Sequence, residues 1–120
     1  MGLRRRYKEN LINTDADTQN YTLLSADILG GVLTHTSVTG GGTITTDTAL
    51  NIINDCGLKR DNDCITCFFV NDGSQTDTFA GGTGVTVADT GSTCATNEGA
   101  WLLFRRTSAT AVTMYSVGGP

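Results

Sequence analysis

Glycines at 30–31, 40–42, 57, 73, 81–82 and 84 cut the chain into Thr- and Val-rich runs that suit strands and leave little room for long helices. Fifteen glycines and 21 threonines stand against a single proline, and only 17% of the 120 residues are charged. Long helices would need more Leu, Glu, Lys and Ala than this chain has. Its length suits one domain with one modest core. No run approaches the ~18 apolar residues of a membrane helix. The start, "MGLRRRYKEN", has the charge of a signal peptide without the apolar stretch, and Arg6 stands where a myristoylation signal has Ser or Thr. "NYT" at 20–22 fits the glycosylation triplet, a pattern too short to carry weight.

Charge is split unevenly. Residues 1–10 carry four cations (Arg4, Arg5, Arg6, Lys8) and one anion (Glu9), a balance of +3; the remainder has 4 cations and 11 anions, a balance of −7. An acidic body repels nucleic acid, so no nucleic-acid partner is expected. A short basic arm on an acidic domain suits attachment to an acidic protein surface. Residues 1–24 read as such an arm: a polar, aperiodic segment with scattered anchors Tyr7, Leu11, Ile12, Tyr21, Leu23 and Leu24. A frayed tail is the alternative.

From residue 25 the chain reads as a β-body. "SADILGG" is expected as a turn into a strand in which Val32, Thr34, Thr36 and Val38 share one face and Leu33, His35 and Ser37 the other. "GTITT" gives a second strand. Thr46 or Asp47 can cap a two-turn helix over "DTALNIIND", with Leu50 and Ile53 on one side, Ala49 beside them, and a stop at Gly57. "CITCFFVN" reads as a strand ending at the Asn71-Asp72-Gly73 turn. "QTDTFA", "GVTVAD" and "STCAT" follow as short strands, and "GAWLLFRRTSATAVTMYSV" as a hairpin turning near Thr107–Thr110. About eight short strands and one small helix predict an all-β, jelly-roll-like β-sandwich of antiparallel strands over residues 25–120. A parallel α/β sheet is excluded by the missing crossover helices.

No catalytic constellation emerges, so an enzyme is not expected. "GGGTITTDTAL" and "AGGTG" lack the Lys and the directly following helix that a phosphate loop requires; glycine there supplies positive φ and close backbone approach at sheet corners. Cys64 and Cys67 are three apart within a strand and so point to opposite faces, which disfavours a shared metal. For Cys56, Cys64, Cys67 and Cys94, buried free thiols are the favoured reading; a disulfide such as Cys56–Cys94 and a zinc site are the alternatives. His35 is expected either at a subunit interface or as a satisfied core histidine, and nothing marks a nucleophile elbow beside it. Asp61, Asp63, Asp72 and Asp77 read as a solvated face, because "DNDC" lacks the rest of a calcium loop. Trp101 suits the core or a subunit contact better than an exposed sugar platform. His35, Trp101 and Tyr115 are the candidate subunit contacts. No cofactor or metal is expected.

The order "TGGGTITTDTALNIIND", "CITCFFVNDGSQTDTFAGGTGVTVADT", "EGAWLLFRRTSATAVTMYSVG" resembles the small jelly-roll decoration, or cement, proteins of tailed-phage capsids and their head-fibre relatives, over about 80 residues. Where family members carry Pro after the Thr that opens the short helix, this chain has Thr46-Asp47. The resemblance implies a homotrimer, made in the host cytoplasm, standing on the outer capsid surface of the virion. Its N-terminal arm (Arg4, Arg5, Arg6, Tyr7, Lys8, Leu11, Ile12, Tyr21) would reach over the major capsid protein and stabilise the shell. A receptor- or glycan-binding knob of a phage fibre or tail is the rival reading.

Overall fold

The computed structural model describes residues 11–37, 40–89 and 92–118. Within them the chain winds back and forth between two sheets. A first coil contains β1 (Ile12–Ala16), β2 (Tyr21–Leu23) and helix α1 (Ser25–Gly30). A second contains β3 (Gly31–His35), β4 (Thr43–Thr46) and helix α2 (Ala49–Asp55), and a third β5 (Cys64–Asn71) and β6 (Asp77–Ala80). Then come β7 (Val85–Val87), β8 (Thr93–Cys94) and the hairpin β9 (Glu98–Ser108) and β10 (Ala111–Val117). The six-stranded sheet has the order β1-β3-β5-β9-β10-β7, and the four-stranded sheet β2-β4-β6-β8.

The chain is therefore mostly β in two facing sheets, as expected, but its strands are not all antiparallel. Five of the eight pairings among the described residues are parallel: β1/β3, β3/β5, β2/β4, β4/β6 and β7/β10. Parallel neighbours need a long crossover, and the sequence offers no long helix for one. The return strand in the opposite sheet, with a short helix after it, performs that crossover instead. Residues 17–30 link β1 to β3 in this way through β2 and α1.

The expected arm is corrected by the same topology. Residues 12–23 are not a free extension: β1 pairs with β3 from Ile12↔Gly31 to Ala16↔His35, and β2 pairs with β4 from Tyr21↔Ile44 to Leu23↔Thr46. The residues Arg4, Arg5, Arg6, Tyr7 and Lys8 lie outside the described residues.

Both helices are fastened by one carboxylate. "SADILG" is helical rather than a turn because Asp27 accepts the Leu24 N–H at 2.9 Å while Asp47 accepts the Ser25 N–H at 2.9 Å. Gly31, at φ +100°, ends the helix in a conformation that costs other residues a steric penalty. In α2 the cap is Thr48, whose Oγ1 accepts from the Asn51 N–H at 3.2 Å, rather than Thr46 or Asp47. With that cap, Ala49, Ile52 and Ile53 form the buried stripe and Leu50 turns outward.

The core lies between the sheets. Leu23, Leu33, Ile44, Ile52, Phe69, Leu102, Phe104 and Met114 are fully buried. Phe69 of β5 meets Phe79 of β6 edge-on at 5.1 Å, joining one sheet to the other. The glycine corner has the structural role expected of it: a side chain at Gly42 would collide with the carbonyl of Gln19 in the β1–β2 loop. Among the described residues no helix is long and apolar enough to cross a membrane.

Candidate docking surface

Strand register places a set of large side chains on the outer face of the six-stranded sheet. In β5, Ile65, Cys67, Phe69 and Asn71 turn inward, leaving Cys64, Thr66, Phe68 and Val70 outside. In β9, Ala100, Leu102 and Phe104 turn inward, leaving Trp101, Leu103 and Arg105 outside. Pairing then lines up Asn13, Val32, Phe68, Trp101 and Val117 across five strands, with Thr66, Leu103 and Tyr115 in the next row.

This face has internal order. The Phe68 ring lies over Gly99, where any side chain would collide with it, and meets Trp101 edge-on at 4.9 Å. Arg105 stands 5.7 Å from the centre of the Tyr115 ring, donates to the Tyr115 hydroxyl at 2.8 Å, and donates to Asn62 Oδ1 at 2.8 Å. Trp101 is 52% exposed and Val117 61% exposed. A groove of about 580 Å³ adjoins Trp101, where β5 extends past the start of β3; Leu11, Leu29, Gly31, Cys64 and Ile65 help to line it. Trp, Tyr and Arg are the residue types that dominate protein–protein binding energy, and here all three sit on one side of the sheet.

Trp101 is thus a surface residue, not a core one, and Tyr115 is half-buried on the same face. His35 is the satisfied core histidine: it is 1% exposed, with Nδ1 at 2.7 Å from Asp77 Oδ2 and Nε2 at 2.6 Å from the Thr18 carbonyl. Its place on an interface is corrected, since burial within the chain leaves nothing for a neighbour to touch. Leu11 and Ile12 are exposed at the outer edge of the first coil. Tyr21 is half-buried, and its hydroxyl donates to Asp27 at 2.8 Å. Burial, then the hydrogen bond and charge of Asp27, push that phenol up to about 12.

The other polar candidates separate by burial. All four cysteines are free thiols. Cys64 is exposed and Cys67 buried, as the opposite-face argument requires, so the expectation of buried thiols fails at Cys64. Burial pushes Cys67 up to about 12, aided by the charge of Asp27 and by Cys56. It also leads the shifts that place Cys56 and Cys94 at about 11. Asp61 and Asp72 are exposed, but Asp77 is buried against His35 and does not belong to a solvated face. The sequence marks Asp47 only as a possible cap of α2 and gives no sign of its bond to Ser25 at the start of α1. Burial alone would raise its carboxyl, yet hydrogen bonds from Asn51, Ser25 and Thr48 hold it below the usual carboxylate range. Among the described residues no three His, Cys, Asp or Glu side chains converge as a metal group.

Compared with protein-family models, curated proteins and solved structures, the chain matches none.

Proposed function

We propose that this chain is a non-catalytic structural protein that docks on another protein through the outer face of its six-stranded sheet, and that it is a capsid decoration protein of a tailed phage. The observation that carries the docking role is the half-exposed Phe68–Trp101 pair beside the Tyr115–Arg105 pair on one face of the sheet. The capsid assignment rests on the resemblance in the order of sequence elements. In this reading three copies stand on the outer surface of the virion, bound to the major capsid protein. The jelly-roll description is not needed for it; a compact two-sheet body suffices. The +3 balance of residues 1–10 suits attachment to acidic patches on the capsid. Repeated attachment around a symmetric shell strengthens binding through avidity.

The test is add-back of purified protein to undecorated capsids. Trp101→Ala and deletion of residues 1–10 should each weaken binding at least tenfold while leaving the body folded. Undiminished binding by both variants would exclude the proposal.

A second reading is favoured by one feature. A half-exposed indole on the outer face of a sheet is a surface on which a sugar ring can stack, as a receptor- or glycan-binding knob requires. Specific binding in a glycan screen, lost in Trp101→Ala but kept after deletion of residues 1–10, would select it over capsid attachment.

A further inference from the structure

The buried histidine has an oxygen at each ring nitrogen. His35 Nδ1 lies 2.7 Å from Asp77 Oδ2 and Nε2 2.6 Å from the Thr18 carbonyl oxygen, with the two side chains only 1% and 2% exposed. A carbonyl oxygen has no proton to give, so Nε2 must donate one. The short contact between Nδ1 and Oδ2 needs a second proton, carried by one atom or the other. We infer that the folded His35–Asp77 pair holds two protons, is neutral overall, and acts as a proton-dependent clamp that fastens the first coil to the rest of the wrap.

The clamp spans four parts of the chain. Thr18 is in the β1–β2 loop, His35 ends β3, and Asp77 begins β6. Asp77 Oδ1 also accepts from the Gly42 N–H at 3.3 Å, at the corner before β4. Among the described residues Asp77 has no ion-pair partner other than His35. Phe69 of β5 lies beside the imidazole at 6.4 Å, and the Cys94 thiol of β8, close enough to feel the Asp77 charge, is kept neutral chiefly by burial. Asp15 and Asp17 flank the loop on its exposed side, and Asp72, whose N–H donates to the His35 carbonyl, points its side chain to solvent.

Proton counting sets the direction of the response. In an unfolded chain imidazole loses its proton above about pH 6.5 and a carboxyl group above about 3.9, so near neutrality the separated groups hold fewer protons than the clamp. Folding then takes up a proton, and stability falls as pH rises. Below about pH 3.9 the unfolded chain holds the extra proton instead, and the sign reverses.

Asp77→Asn is the discriminating variant. Its amide oxygen can still accept from Gly42, and its NH2 can donate to an unprotonated Nδ1, so all three contacts survive with one proton fewer. Nitrogen-15 NMR of the wild-type ring at neutral pH should find a proton on Nε2 and another shared between Nδ1 and Asp77. Urea unfolding between about pH 6 and 9 should show the folding constant of the wild type falling relative to the variant, by up to about tenfold per unit. A singly protonated ring facing an ionised Asp77, or identical pH responses of the two proteins, would overturn the inference. If the variant does not fold, the NMR result on the wild type decides alone.

Discussion

Asp47 and Ser25 are 22 residues apart in sequence, yet the Asp47 carboxylate accepts the Ser25 N–H at 2.9 Å and so supplies the first turn of α1 with an acceptor that α1 does not contain. The same carboxylate takes the Thr48 N–H and the Asn51 side-chain amide, both at 2.8 Å, at the start of α2. One buried side chain thereby orients both helices that link the coils. The four-stranded sheet delivers it there, because Asp47 directly follows β4.

Removing that carboxylate should loosen both helices at once. Hydrogen bonds to a charged group are worth about 1.5–3 kcal/mol, so Asp47→Ala is expected to lower urea stability by at least that much. Because folding holds this carboxyl below its ordinary range, the stabilisation is fully present above about pH 4 and disappears as pH falls through the lowered value. Asp47→Asn should therefore flatten the acid limb of the stability curve. An unchanged acid limb would show that other carboxylates govern it.

The thiols should react in two classes. Cys64 is exposed, whereas Cys67 and Cys94 are buried and their thiols pushed up to about 12 and about 11. A thiolate-dependent reagent at neutral pH is expected to modify Cys64 in the native protein, and the buried pair only after denaturation. Mass spectrometry of the labelled peptides reads this directly. Fast native labelling of Cys67 would contradict its place in the core.

Gly42 has no room for a side chain. A Cβ there would meet the Gln19 carbonyl, which is backbone and can move only with the β1–β2 loop. Gly42→Ala should cost about 1–3 kcal/mol, the usual range for overpacking, and a thermal unfolding curve measures it. A control at Gly57, where nothing lies near the added carbon, should cost less despite its φ of +71°.

What could be read from the sequence divides along local and long-range lines. The third coil and the final hairpin were legible because alternation and turn residues act over a few positions: "CITCFFVN" is β5 to the residue, and the turn at Ala109–Thr110 falls within the expected span. The direction of pairing was not, since Leu33 and His35 alternate with Val32 and Thr34 whether β3 runs parallel or antiparallel to its neighbours. Helix α1 was hidden for a related reason, because part of its capping comes from Asp47. Asp77 looked like one more surface acid, as its partner His35 lies 42 residues away. For Trp101 the choice between core and subunit contact stayed open, because "WLLF" is apolar on both faces of β9 and hydropathy alone cannot say which side is covered.

Trp101 is also where stability and binding should come apart. Its indole is 52% exposed and touches Phe68 edge-on, an arrangement worth about 0.5–1.5 kcal/mol beyond buried area. Trp101→Ala should therefore lower stability by about 1 kcal/mol, a small loss for a domain of this size. If the outer face is a docking surface, the same change should weaken attachment by more than about 2 kcal/mol, the scale of an interface hot spot and roughly a 30-fold loss in affinity. Thr78 gives the comparison: it lies exposed in β6 of the opposite sheet, and Thr78→Ala should leave attachment unchanged. Calorimetry of each variant, paired with its binding isotherm on the same preparation, separates the two effects. Equal losses in stability and binding would mean that Trp101 acts only by supporting Phe68.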